Sequence, residues 1–455
     1  MNWLSEMKLR RDWLKRDLNT FDIYSLVHSD SQSTYYLMIG FIALYAGGSF
    51  LFIALYAVIL MILIALIYGE MGSHFPEVGG SYIYVRYSLG SLIALISVWL
   101  LSLDQIIMIS YGTLDAATYL RSTLELYHIH GAMTQIPENI VALILSTVLF
   151  ILTLIGIRES ARVAMSIAIL DIILVGFLSL YNIFYMLLHQ SFYEAPQFMW
   201  KGIQPPDLLL SLALASRGFT GLDSIGQLAG EARKPLIQIP RATILVIMIG
   251  AFYSLSLSIL LMNMIPHRSL QENPALAIFM IAERTPYISL LIAPLIAVNI
   301  ILIMLMAALT GYVAFSRLLY ILSQDRMTHQ IFGRVHPKFR TPYISLVIAY
   351  LISLVLIIPG EISLILEIYA IGSLINYLIV AISLGVLSRR GVLYGGFSTP
   401  RIRDVPVTVL IGTPIMIMAL AFNLIEKYSA VGVIGIWAVI GIILYLYMKR
   451  RENTA

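Results

Sequence analysis

Residues 21–48 read FDIYSLVHSDSQSTYYLMIGFIALYAGG, and residues 207–230 read DLLLSLALASRGFTGLDSIGQLAG. Each stretch is apolar at its ends and polar in its middle. The first carries six polar residues in a row, Ser29-Asp30-Ser31-Gln32-Ser33-Thr34. The second carries Arg217-Gly218-Phe219-Thr220-Gly221-Leu222-Asp223, with two glycines and two charges. The rest of the chain supplies the setting. Of 455 residues, 59% are hydrophobic and 12% are charged, against about 25% charged in a soluble domain. Mean hydropathy is +0.88. A soluble fold cannot cover itself with so little polar surface, so the chain reads as an all-α polytopic membrane protein. The net charge of +4 is small and dispersed, which argues against a nucleic-acid surface. With no cysteine there is no disulfide framework, thiolate nucleophile or cysteine-ligated zinc. The eight histidines form no H-x₃-H or H-E-x-x-H pair, so neither a metal site nor a cofactor is expected.

A spanning helix needs about 20 mostly apolar residues. On that basis twelve spans are predicted, near 21–46, 49–69, 90–119, 139–157, 163–187, 207–229, 242–263, 287–317, 343–358, 362–387, 405–423 and 430–448. Residues 1–20 carry five basic residues and no apolar h-region, and read as a cytosolic amphipathic tail rather than a signal peptide. With the N-terminus inside, 23 of the 29 Lys and Arg fall on cytosolic segments. Five (Arg121, Lys201, Arg268, Arg284 and Lys427) fall outside, and Arg217 lies within a span. That bias follows the positive-inside rule and predicts cytosolic termini.

The two polar-centred stretches are spans 1 and 6. Lipid cannot satisfy irregular backbone, so such segments are tolerated only where they line a cavity. Two interrupted helices five spans apart predict an inverted repeat with its site near the midplane. Spans 1–5 (21–188) would form one repeat and spans 6–10 (207–388) the second. Spans 11–12 (405–448) would be an appendage, all within a single membrane transport domain. The half-helix N-termini are expected to aim N–H groups at an anion such as a carboxylate.

Further segments resemble the amino acid–polyamine–organocation superfamily of transporters, in its amino acid permease branch. Gly69-Glu70-Met71-Gly72-Ser73-His74-Phe75-Pro76-Glu77-Val78-Gly79-Gly80-Ser81-Tyr82-Ile83-Tyr84 is similar to the family segment after span 2. Phe219-Thr220-Gly221-Leu222-Asp223 resembles its span 6 break, and Glu231-Ala232-Arg233-Lys234-Pro235 with Ile239-Pro240-Arg241-Ala242 its next loop. Ser316-Arg317 to Asp325, His336-Pro337, Thr341-Pro342, and Gly372-Ser373-Leu374 through Arg389-Arg390 follow in the family order. The resemblance implies a five-plus-five inverted repeat and alternating access. It also implies an amino acid or amine substrate held by spans 1, 3, 6, 8 and 10. Two departures stand out. Ser29 and Ser33 occupy positions where the family carries glycines, and Asp171 stands where many relatives carry Lys in span 5.

Four carboxylates lie deep in the spans, Asp30, Asp104, Asp171 and Asp223, against one cation, Arg217. An ionised Asp at the bilayer centre costs roughly 2.5–3.5 kcal/mol on insertion scales. One acid can pair with Arg217; the others need protons, a cation or a positively charged substrate. Asp104 is read either as a structural partner of Arg217 or as a site residue. Asp30 and Asp223 are each read as a helix cap or a contact to a substrate amine. Asp171 has no capping role and is the expected proton-coupling residue. The substrate-binding set is therefore Ser29, Asp30, Ser31, Ser33, Thr34, Asp104, Arg217, Gly218, Phe219, Thr220, Gly221 and Asp223. Span 8 reads LIMLMAALT from Leu302 to Thr310, which offers few oxygen ligands for sodium.

The expectation is a secondary active transporter whose partners are a small amine-bearing substrate, protons and the lipid bilayer. A uniporter, channel or exchanger of the same fold is the alternative. A membrane enzyme would need a nucleophile–base pair or metal cluster at one depth, and the sequence offers neither. The topology is tested by single cysteines at Ser5 and Ser122, probed in intact cells with an impermeant reagent. Ser122→Cys should label and Ser5→Cys should not; the reverse pattern would overturn the assignment.

Overall fold

The computed structural model describes residues 16–77, 79–128, 136–189, 205–218, 220–360, 371–393, 395–426 and 428–454. The helices are α1 (Thr20–Ala46), α2 (Phe50–His74), α3 (Ser81–Leu89), α4 (Ser91–Leu126), α5 (Glu138–Ile155) and α6 (Ile157–His189). They continue as α7 (Pro205–Arg217), α8 (Ser224–Gln227), α9 (Pro235–Met264), α10 (His267–Glu272), α11 (Ala277–Glu283) and α12 (Ser289–Gln324). The last are α13 (Tyr343–Ile357), α14 (Ile371–Arg389), α15 (Val407–Glu426) and α16 (Tyr428–Thr454). The short strands β1 (Arg401–Ile402) and β2 (Val405–Pro406) pair antiparallel before α15. Among the described residues, nine helical stretches are long and apolar enough to cross a membrane. One of them, Thr20–His74, joins α1 to α2 through the 3₁₀ turn Gly47–Ser49, where Gly47 has φ +50°. Part of the expected tenth span, 361–370, lies outside the described residues.

One expectation is corrected. The first span is not discontinuous: α1 is an unbroken α-helix through the whole polar run. Its hydroxyls bond back to their own helix. Ser29 Oγ donates to the Ser25 carbonyl at 2.8 Å and Ser33 Oγ to the Asp30 carbonyl at 2.9 Å. Ser31 and Thr34 do the same at 3.4 Å. Such bonds satisfy a hydroxyl without freeing backbone, so a serine-rich run can cross an apolar interior as a helix. The start of α1 is fixed by a capping box between Asn19 and Asp22.

The sixth span is broken as expected. α7 stops at Arg217, the chain turns through Gly221 with φ +95°, and it resumes as the single turn α8. Backbone there is bonded within the turn: the N–H of Thr220 reaches the Arg217 carbonyl at 3.0 Å, and that of Ser224 the Gly221 carbonyl at 3.1 Å.

The bundle is centred on α4 and α12, which pack most extensively against each other. Each has 36 residues. That is about 54 Å of helix against a hydrocarbon core of about 30 Å, so both tilt or project beyond it. Small residues let their backbones meet. A Cβ on Gly112 would lie 2.8 Å from the Met304 carbonyl oxygen, and one on Gly311 2.8 Å from that of Gln105. Without a hydrophobic force between helices in lipid, such close approach carries much of the association. Gly112→Leu should therefore lower the melting temperature and the monodisperse yield in detergent. Gly432→Leu, with nothing within 4 Å of its Cβ position, should change neither. Equal melting of the two variants would show that the α4–α12 crossing is not backbone-tight.

Candidate functional site

The broken span and the intact α1 meet at one point. A Cβ on Gly221 would fall 2.1 Å from the Asp30 carboxyl carbon, so the Asp30 carboxylate rests directly on the Gly221 backbone. The positive φ of Gly221 suits a residue without a side chain. Asp30 Oδ2 accepts from Ser224 Oγ at 2.9 Å. Asp223 sits nearby. Its Oδ1 accepts from the Tyr377 hydroxyl of α14 at 2.8 Å, and that hydroxyl in turn accepts the Gly221 N–H at 3.0 Å. Asp223 Oδ2 accepts from Gln105 Nε2 of α4 at 3.3 Å and from Gln227 Nε2 of α8. Asp30, Asp223, Gln105 and Gln227 are all buried.

The balance of donors and acceptors is lopsided. Asp30 Oδ1, Gln105 Oε1 and Gln227 Oε1 are buried with no hydrogen-bond partner. The N–H of Gly221 is taken by Tyr377, and those of Gly218, Thr220, Ser224 and Ile225 by backbone carbonyls. The anion cradle expected from the half-helix N-terminus is therefore largely occupied by the turn itself, and what remains open is acceptor oxygen.

The other expected residues fall around this centre. Asp104 Oδ2 accepts the Ser373 N–H at 2.6 Å and so caps the start of α14. Arg217 points to α15, where its Nε donates to Asn423 Oδ1 at 2.8 Å; Asn423 also donates to Ser216 Oγ at 2.7 Å. Gly218 lies against Tyr35, and Thr220 is buried in the turn. Phe219 lies outside the described residues. The hydroxyls of Ser29, Ser31, Ser33 and Thr34 are turned to the α1 backbone. Tyr377, Gln105 and Gln227 carry no charge, so unlike the aspartates they do not stand out within a span. The juxtaposition of Asp104 and Gln105 in a span was the available signal.

Asp171 heads a second cluster. Its Oδ2 lies 2.9 Å from His28 Nε2 and accepts from the Tyr36 hydroxyl at 2.8 Å. Its Oδ1 accepts from Asn299 Nδ2 at 2.6 Å. The Tyr253 hydroxyl donates to the Asp171 carbonyl at 3.2 Å, and the Tyr24 hydroxyl lies 3.1 Å from His28 Nδ1. Both His28 and Asp171 are at most 1% exposed. The cluster joins α1, α6, α9 and α12. No group of three or more His, Cys, Asp or Glu among the described residues is placed to hold a metal.

An all-helical bundle of membrane-crossing helices, with polar residues converging on one broken span, defines a polytopic transport protein. Residues 18–448 match the family described as amino acid permease, and the chain belongs to that family. It is an integral membrane permease and not an enzyme. It is similar to the branched-chain amino acid permease BcaP of Bacillus subtilis (strain 168), at 22% identity over 97% of this chain and 94% of the relative. The cationic amino acid transporter 4 of Mus musculus is 25% identical over 82% of this chain, which spans 60% of that longer protein. The low-affinity putrescine importer PlaP of Escherichia coli (strain K12) is 23% identical over 85% of this chain and 83% of its own length.

Because a side chain on Gly221 would displace the Asp30 carboxylate, Gly221→Ala should weaken substrate binding strongly and Gly221→Leu abolish it, both with near-normal folded yield. Binding is read by thermal-shift or scintillation proximity on detergent-purified protein. Unchanged affinity in the Ala variant would place the substrate elsewhere.

Proposed function

We propose that the protein carries amino acids or related amines across the membrane by alternating access, driven by a proton gradient. On this reading Thr20–His74 crosses twice and the shorter α7–α8 and α13 each count as a crossing. The chain then has twelve crossings, with spans 1–5 and 6–10 as inverted repeats and both termini cytosolic. The centre formed by Asp30, Asp223, Gln105 and Gln227 holds the substrate, and the cluster around Asp171 takes the coupling proton.

The observation that carries this reading is the surplus of buried acceptors at the break. A buried acceptor without a donor costs about 1–3 kcal/mol. An ammonium group brings three donors and a positive charge, the complement of open acceptors such as Asp30 Oδ1, Gln105 Oε1 and Gln227 Oε1. The Asp30 and Asp223 carboxylates meet at the same turn, through Ser224 and through Tyr377 on Gly221, and a cation there would offset two like charges. The substrates named for three relatives support the same chemistry, although a fourth relative is named for methylthioribose, which has no amino group. Branched-chain amino acids, cationic amino acids and putrescine all carry an amino group.

The test is competition in proteoliposomes, scanning the twenty amino acids, simple polyamines and the matching carboxylic acids without an amine. Compounds bearing an amine should compete and their desamino counterparts should not. Asp30→Asn should weaken the best competitor roughly ten- to hundredfold, the worth of one charge-assisted bond. Desamino acids that compete as well as the amines would overturn the ammonium site.

A further inference from the structure

We infer that the coupling proton is carried by His28, with Asp171 as its fixed counter-charge and the Tyr24 hydroxyl as the rotor that accommodates both of its states. This rests on the reading of the chain as a proton-coupled permease, and it moves the titrating group from α6 to α1.

The assignment follows from counting donors around the carboxylate. Asp171 accepts from the Tyr36 hydroxyl and from Asn299 Nδ2, and faces His28 Nε2 at 2.9 Å. An ionised carboxylate has acceptor sites for all three, whereas a protonated one would need His28 in its other tautomer, with Nε2 bare and the ring proton on Nδ1. The imidazole is different. Nε2–H donates to Asp171, which leaves Nδ1 facing the Tyr24 hydroxyl at 3.1 Å. With His28 neutral, the Tyr24 O–H donates to Nδ1. A proton added at Nδ1 makes that nitrogen a donor, and the Tyr24 oxygen accepts it after its own O–H turns away. One hydroxyl rotation thus serves both protonation states, with no movement of the backbone. The loaded pair is neutral and the unloaded pair carries one negative charge, which the Tyr36 and Asn299 donors continue to hold. Such a residual charge is otherwise expensive at membrane depth.

Among the described residues, the ring's surroundings supply no charge besides Asp171. The groups around the ring are Tyr24 and Tyr36 on its own helix, Asp171 on α6 and Tyr253 on α9, whose ring centroid lies 6.1 Å away. Asn299 of α12 closes the far side of the carboxylate. The link to substrate is geometric. His28 and Asp30 stand two residues apart on a continuous helix, about 200° around its axis. One faces the α6 cluster and the other the α7–α8 break. A tilt of α1 that opens one contact therefore acts on the other through rigid backbone.

The test uses the full chain in detergent and in proteoliposomes, with His28→Gln, which keeps a polar side chain of similar reach and removes the titration. In detergent without substrate, protons taken up are counted with an indicator dye across about pH 8 to about pH 5, the range in which histidine changes charge. Wild type should take up about one proton per molecule more than His28→Gln. In proteoliposomes, labelled L-leucine, L-arginine and putrescine serve as separate probes. His28→Gln should lose accumulation driven by a pH gradient out of proportion to any change in counterflow exchange. Equal proton uptake, or undiminished accumulation by the variant, would overturn the proposal. Should His28→Gln yield no folded protein, Tyr24→Phe carries the test. It leaves the Asp171 bond in place and should move the proton uptake along the pH axis; an unmoved titration would overturn the rotor. If wild type carries none of the probes, the transport reading fails, while the proton count still decides the role of His28.

Discussion

A bilayer offers no water to a buried polar group, so each such group must find its partner inside the protein or leave a debt for a ligand to settle. The chain meets that constraint in different ways at different places. Along α1 the hydroxyls bond to carbonyls three or four residues back, which keeps a polar run helical. Around Asp171 the partners come from other helices, Tyr36, His28 and Asn299, and every carboxylate oxygen is engaged. At the break in the sixth span the accounts do not close: two carboxylates and two glutamines converge, and three of their oxygens have no donor. The Asp171 carboxylate is fully partnered, with Asn299 Oδ1 beside it left open, whereas the break keeps three open acceptors, and the proposed division into a proton site and a substrate site rests on that contrast.

Charged residues of the segments that resemble the family motifs are each held by a partner distant in sequence. Glu231, in the loop after the break, receives Arg317 of α12 through Nε at 2.8 Å, both side chains buried. Glu70, near the end of α2, accepts from the Thr399 backbone and hydroxyl and from Arg401 at 3.1 Å, which docks the β-hairpin against α2. Asp325, just past α12, pairs with Arg86 of α3. Leu18 bonds through backbone to Glu231 and Arg233, so the chain before α1 is tied to the same layer. Removing one partner of a buried pair costs about 3–5 kcal/mol, because the other charge is left without compensation. Residues of widely spaced motifs are thus held by partners on distant helices and loops.

The long apolar helices and the sixth-span break were legible because they rest on local facts, namely runs of apolar residues and a pair of glycines among charges. The continuity of α1 was not. A serine-rich run and a glycine-rich run look alike on a hydropathy trace, yet a hydroxyl can satisfy itself on its own helix while glycine adds no such bond and tolerates φ values that end one. The partners of Asp171 were also hidden. His28 lies 143 positions away in sequence and Asn299 128, and nothing within the sixth helix signals either. Likewise Arg217, expected beside Asp104, reaches Asn423 in a helix assigned to the appendage.

The intact α1 and the broken sixth span have complementary consequences. A broken helix exposes backbone, but here the exposed N–H groups are spent on the turn and on Tyr377. What the break provides instead is room: Gly221 lets the Asp30 carboxylate come down onto the chain, closer than any side chain would allow. The intact helix delivers that carboxylate at a fixed height, and it fixes His28 on its opposite face. Had α1 been interrupted between residues 29 and 34, Asp30 would sit on irregular backbone and its position relative to His28 would be soft. Continuity makes the two groups parts of one rigid lever, and the sign of the site follows. The backbone N–H groups around Gly221 are taken up while acceptor oxygens of Asp30, Gln105 and Gln227 remain, which is the balance that the proposed ammonium site requires.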